Sequence, residues 1–190
     1  KKLQAINSTQ LPAQHSVREI ELNLTGDMER YIWSINNQII SADNAIKIKR
    51  GEIIRFILKN KTMMHHPMHL HGHFFRVLNG QGKYSPLKHT VDVPPMGQRV
   101  IEFYANEQHD WFFHCHILYH AKSGMARIIS YDDEIRPDLL ENRHKLYLDK
   151  KFFNASSSLL SQMNDGLLVL RDSKNFLRAQ WQVGWQKVDD

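Results

Sequence analysis

The chain of 190 residues contains one cysteine, Cys115. No disulfide can close within it, and zinc sites built from two or four cysteines are excluded. It also has no apolar run near the roughly 20 residues that a membrane-crossing helix requires. The first residues are Lys1-Lys2-Leu3-Gln4, without an initiator methionine, a hydrophobic leader or a cleavage site. The chain therefore reads as a fragment or mature segment, whose address cannot be read from it directly. Nor is there a dense basic stripe interleaved with aromatics, although the formal net charge is +5. Lys47, Lys49 and Arg50 sit along one short segment, and Lys145, Lys150 and Lys151 are mixed with Glu141 and Asp149. That distribution is a solvated surface and argues against a nucleic-acid partner.

Histidine is abundant. Of the 12 histidines, His65, His66, His69, His71, His73, His114, His116 and His120 fall in two short clusters. Around them the composition is that of a globular protein, with 42% apolar and 24% charged residues. The length suffices for one domain with a real core plus an appendage.

Short strand-like segments recur with turn signals between them. They are 17–24, 31–35, 45–49, 52–59, 74–78, 90–93, 99–104, 111–114 and 125–131, punctuated by Gly26, Asn36-Asn37, Gly51, Asn79-Gly80 and Pro94-Pro95. Helical periodicity is almost absent, so the pattern predicts an all-β sandwich with its site on inter-strand loops at one end. After Asp132-Asp133-Glu134 the composition turns polar. We place a boundary there, giving a domain over 1–133 and a linker and tail over 134–190. A helix is expected around 138–151, linker at Ser156-Ser157-Ser158, and the whole tail is expected to be partly irregular.

The second histidine cluster reads His114-Cys115-His116-Ile117-Leu118-Tyr119-His120, with Met125 five residues further on. A thiolate, an imidazole and a thioether form a soft donor set. With one more histidine they make the trigonal site with a weak axial methionine that suits copper electron transfer. The first cluster, His66-Pro67-Met68-His69-Leu70-His71-Gly72, can supply that histidine. Taken alone, that cluster would serve zinc or iron in another β-barrel equally well. In extended backbone His69 and His71 share a face, and His114 and His116 share one opposite to Cys115. Two metal centres joined through Cys115 are therefore expected. His65 and His73 are expected outside the ligand set, and His89 and His109 to be ordinary loop histidines. Met63, Met64 and Met68 are soft enough to touch Cu(I) or simply to pack. Asp92 and Asp110 stand as candidates to orient ligand histidines.

These residues resemble the C-terminal copper-binding signatures of the multicopper oxidase family. Leu24-Thr25-Gly26-Asp27-Met28, Tyr31-Ile32-Trp33-Ser34-Ile35-Asn36 and Lys88-His89-Thr90-Val91-Asp92-Val93-Pro94-Pro95 resemble its bacterial copper-resistance branch, over about 17–132. The resemblance implies a cupredoxin-like Greek-key β-sandwich with copper as cofactor. It assigns His66, Cys115, His120 and Met125 to a type 1 copper site. It assigns His69 to type 2 copper, and His71, His114 and His116 to type 3 copper. Cys115, His114 and His116 would form the electron route between the sites. It further implies a periplasmic oxidase taking electrons from Cu(I) or a phenol and passing them to dioxygen. The trinuclear site of the family needs four more histidines, from His-x-His pairs of an N-terminal cupredoxin domain. No such second set occurs in the chain, so the isolated fragment is expected to be inactive. The rival expectation is a mononuclear electron-transfer cupredoxin, which has no use for the four paired histidines.

The tail carries its own pattern. Leu177, Ala179, Trp181, Val183 and Trp185 alternate with polar residues and Gly184, following the apolar run 167–170 and the turn-like 172–175. Strands of an outer-membrane barrel and a half-buried soluble hairpin both alternate in this way. Outer-membrane association through the tail is therefore one of two open expectations.

Overall fold

The computed structural model describes residues 2–41, 44–131, 151–172 and 175–185. The chain divides into two compact units, Lys1–Tyr147 and Leu148–Asp190. The boundary expected near 134 and the helix expected around 138–151 lie outside the described residues, apart from Lys151.

Unit one is a two-sheet sandwich. Its strands are β1 (Val17–Asp27), β2 (Ile32–Ile35), β3 (Ile46–Ile48), β4 (Ile53–Asn60), β5 (His66–Leu70), β6 (Phe75–Val77), β7 (Leu87–Lys88), β8 (Thr90–Val93), β9 (Gln98–Tyr104), β10 (Asp110–Cys115) and β11 (Ala126–Tyr131). One sheet runs β2-β1-β4-β9-β6-β7 and the other β3-β11-β10-β5-β8. Parallel pairing of β1 with β4, and of β3 with β11, shows that the chain crosses between sheets rather than meandering. This is the all-β sandwich expected from the strand pattern, in the cupredoxin-like form that the family resemblance implied.

The core follows from period-two alternation. In β4, Ile54, Phe56 and Leu58 point inward and Arg55, Ile57 and Lys59 outward. The opposite sheet contributes Met68, Leu70, Val93, Phe113 and Ile129 to the same buried cluster. Phe56 and Phe113 meet across the two sheets, with ring centroids 5.3 Å apart. Burying such side chains supplies about 1.5–3 kcal/mol each, the main stabilising term of the domain.

Strand β1 runs past the expected end to Asp27, because Gly26 lets the chain continue beneath Trp33 of β2. A methyl group there would overlap the indole ring. A one-turn helix, α1 (Leu118–Lys122), was not expected; five residues are too few to show a 3.6-residue period. On the outer face, Glu102 of β9 holds Arg55 at 2.6 Å and Arg76 of β6 at 2.8 Å. The register places both arginines directly beside it on the neighbouring strands.

In unit two, β12 (Phe152–Leu159), β13 (Met163–Arg171) and β14 (Phe176–Gly184) form a three-stranded antiparallel meander. The expected linker at Ser156–Ser158 is corrected by this structure. These serines lie inside β12, paired with Leu167, Gly166 and Asp165. The ladder to β13 pairs their backbone along one edge, so a polar run without turn residues extends as a strand.

Candidate metal centre

Alternation along β5 and β10 splits the histidines between two faces. The register pairs Cys115 with Met68 and His114 with His69, so each pair shares a face. His66, Met68 and Cys115 point into the core, whereas His69 and His114 stand on the opposite face.

On the core side, His66, Cys115 and His120 bring their donor atoms within 4.8 Å of one another, all three buried. Cys115 Sγ lies 3.8 Å from His66 Nδ1 and 3.6 Å from His120 Nδ1. The two imidazole nitrogens are 3.2 Å apart. Helix α1 delivers His120, and its last turn returns the chain through Gly124 at φ +124° to Met125. A side chain at Gly124 would overlap Ile39 and the Trp33 carbonyl, so only glycine fits this return. Met125 is buried in the same core; its carbonyl accepts the Cys115 N–H at 3.1 Å, and its own N–H donates to the His120 carbonyl at 3.0 Å. Trp33 closes the site, stacked on His120 with centroids 4.1 Å apart and edge-on to His66.

Electrostatics keep these donors neutral. Burial, and then the neighbouring His120, push His66 down to about 4. Burial likewise lowers His120 and pushes the Cys115 thiol up to about 11. Two neutral imidazoles and a thiol, aimed at one point in an apolar core, suit a soft cation that displaces the thiol proton on binding.

On the other side, donor atoms of His69, His71 and His114 also lie within 4.8 Å of one another. Two of these rings have one nitrogen pinned to a backbone carbonyl. His69 Nδ1 donates to the His89 carbonyl at 2.7 Å, and His114 Nδ1 to the Cys115 carbonyl at 2.8 Å. Their Nε2 atoms are thereby left as acceptors, as metal ligation requires. His114 Nε2 sits 3.1 Å from His71 Nε2. Burial lowers both His114 and His71, with like-charged histidine neighbours adding to it. His116 stands farther out and exposed, its ring 5.6 Å from His69 and 6.0 Å from His114.

The remaining expected residues divide clearly. His65 is exposed and bonded to Asp92 at 2.8 Å, so Asp92 orients His65 and not a member of either group. His73 is buried, donates to the His71 carbonyl at 3.0 Å and accepts from the Tyr131 hydroxyl at 2.7 Å. His89 lies beside the second group, its Nδ1 3.4 Å from that of His69. Met68 packs in the core, whereas Met63 and Met64 are exposed just ahead of His66. Sequence reasoning gave no role to Trp33, Asn60 or Thr62; their contacts to the site come from distant strands and a loop.

The profile described as Multicopper oxidase matches residues 15–134, well over half of the chain. The chain belongs to the multicopper oxidase family. Among its relatives, a copper resistance protein A homolog of Pseudomonas syringae pv. tomato is 40% identical over 116 residues, covering 61% of this chain and 20% of that protein. Copper resistance protein A of Escherichia coli is 41% identical over 116 residues, covering 61% and 19%. The chain thus spans about a fifth of the length of these curated relatives. The solved multicopper oxidase of Campylobacter jejuni superimposes with a TM-score of 0.57 at 21% identity, covering 66% of this chain and 32% of that one. That likeness shows the shared fold. Membership of the multicopper oxidase family implies copper, and the two donor groups described above could hold it. The similarity to copper resistance proteins is to the branch that the residues resembled.

Proposed function

We propose that this chain supplies the type 1 copper site and half of the trinuclear copper ligands of a periplasmic oxidase that couples one-electron oxidation of a small reductant to reduction of dioxygen to water. His66, Cys115, His120 and Met125 would hold the first copper. His69, His71, His114 and His116 would hold their share of the cluster. The observation that carries this reading is the split between faces, with Cys115 turned inward at the end of β10, His114 outward on the same strand and His116 exposed just beyond it. Bound copper supplies one-electron chemistry between Cu(II) and Cu(I). Cys115 contributes a thiolate once its proton leaves, and the strand itself provides a short bonded path from its sulfur to the His114 and His116 rings. His66 and His120, neutral in their buried setting, present nitrogen lone pairs without a proton to remove.

The second group is open on one side. His71, His116 and Phe74 are exposed around it, which suits a face completed by an N-terminal cupredoxin domain with further histidines. Exposed Met63 and Met64 favour Cu(I) as the reductant, since thioethers bind soft cations; a phenol remains the other substrate class. With only half a cluster, the chain alone is expected to show no sustained oxygen consumption with a phenolic donor at excess copper. Oxygen-electrode traces across protein concentrations check this. Steady four-electron consumption that disappears in His114→Ala would contradict it.

For the tail we propose outer-membrane association. Cross-strand partners share a face, so Phe153, Ala155, Leu168, Leu170, Leu177, Ala179, Trp181 and Val183 line one side of the meander. Asn154, Ser156, Ser158, Asp165, Arg178, Gln180 and Gln182 fall on the other, together with Phe152, Leu167, Val169 and Phe176. The indole N–H groups of Trp181 and Trp185 donate to Asn164 and to the Ser161 carbonyl, turning the polar edge of each ring toward one end of the sheet. That arrangement suits the interfacial aromatics of a membrane sheet. The full chain is expected to float with phospholipid vesicles, and Leu170→Asp with Leu177→Asp to stay in the soluble fraction. Equal flotation of the double variant would contradict the lipid-facing reading.

A further inference from the structure

Thr62 stands on the loop between β4 and β5, four residues ahead of His66. Its hydroxyl lies 2.7 Å from His66 Nε2 and 2.9 Å from Asn60 Oδ1. Asn60 is buried, and the orientation of its amide is fixed by its surroundings. Nδ2 donates to the carbonyls of Met64, Val93 and Pro94 at 2.7, 3.1 and 2.9 Å. Only a nitrogen donor can sit among three carbonyl oxygens. Oδ1 therefore faces Thr62, accepting its backbone N–H at 2.8 Å.

The direction of the remaining bonds follows. An amide oxygen has no hydrogen to give, so the hydroxyl beside it must donate. Thr62 has one hydroxyl hydrogen, and this bond uses it. In the 2.7 Å contact with His66 the ring must then be the donor, and its Nε2 carries the proton. A neutral imidazole holds one N–H, so Nδ1 is left bare. Nδ1 is the atom that faces Cys115 Sγ and His120 Nδ1. Asn60 is itself tied down, its N–H donating to the Gly97 carbonyl at 2.9 Å, and Met96 N–H binds the Thr62 carbonyl at 3.1 Å. Two loops thus brace one hydroxyl.

We propose that Asn60 and Thr62 act as a positioning relay that fixes His66 in its Nε2–H tautomer and so holds Nδ1 ready as a metal donor. The purpose of the relay rests on the copper site proposed above, but the tautomer can be read without metal. The test is nitrogen-15 NMR of imidazole-labelled full chain, copper-free and above pH 7, for wild type, Thr62→Val and Thr62→Ser. Wild type is expected to carry the His66 proton on Nε2. The valine variant, of nearly the same shape, should lose that preference, and the serine variant should regain it. Titration with copper should show affinity weakened roughly 10- to 100-fold in Thr62→Val and largely restored in Thr62→Ser, the range for loss of a ligand's hydrogen-bonding partner. A wild-type proton on Nδ1, or an unchanged tautomer in Thr62→Val, would overturn the relay. If the valine variant does not fold, the wild-type tautomer and the serine variant still decide. Undiminished copper affinity in His66→Ala would instead overturn the copper site and leave the tautomer result standing, so the two failures are distinct.

Discussion

Replacing Cys115 by serine is expected to abolish the intense visible absorption of the copper-loaded protein. That absorption is the one expected of the proposed site, from charge transfer between a thiolate and Cu(II). A serine hydroxyl at the same place has no comparable donor orbital and does not ionise at neutral pH. Copper affinity should fall by more than the roughly 10- to 100-fold that removing a ligand's hydrogen-bonding partner costs, because the proposed ligand itself is lost. The fold should survive. Serine is nearly the same size, but His66 and His120 stand 3.8 and 3.6 Å from Sγ, beyond the reach of a hydroxyl, which stays buried and unpaired. The copper-free variant should therefore be destabilised by about 1–3 kcal/mol in thermal unfolding, the cost of one unsatisfied buried polar group. Absorption spectra at saturating Cu(II) check the first outcome. An unchanged band in Cys115→Ser would mean that the sulfur is not a ligand.

Glu102→Ala should cost the domain about 3–5 kcal/mol, the penalty for stranding one member of a buried ion pair. Glu102 and Arg76 have side chains only 6% and 8% exposed, so water cannot replace the lost carboxylate. Arg55 retains Glu19 at 2.8 Å and is more exposed, so its share of the loss is small. Among the described residues, Arg76 keeps the Gly82 carbonyl and the Thr9 hydroxyl. Urea unfolding with an unchanged slope would report this loss as a lower midpoint. The paired change Arg76→Met with Glu102→Leu should recover much of the loss, because it removes both charges together. A loss under about 1 kcal/mol in Glu102→Ala, typical of exposed pairs, would show that Arg76 is solvated after all.

The sequence carried most strands of the first unit and both histidine groups for a common reason. Alternation with period two is a local property, so the opposite facing of Cys115 and its flanking histidines could be read before any tertiary contact was known. The same rule places Ile54, Phe56 and Leu58 in the core. What remained hidden depends on distant pairing. Trp33 reaches His120 across 87 positions of chain, and no local pattern announces that contact. Asn60 and Thr62 matter through a loop bridged to the 93–97 turn, and the ion cluster joins three strands only through register. Helix α1 is too short to show a period, although it positions His120. The serine run misled by composition, since strand pairing satisfies backbone groups whatever the side chains. Asp92 was a reasonable partner for a ligand histidine, but strand β8 brings it to His65 instead.

The most direct test of the central claim is X-ray absorption at the copper edge on the full chain loaded with one equivalent of copper. The account predicts a first shell with one short sulfur neighbour from Cys115 and two imidazole nitrogens from His66 and His120. In His120→Ala one nitrogen should be lost while the sulfur remains. A first shell of nitrogen and oxygen alone in the wild-type protein would contradict it.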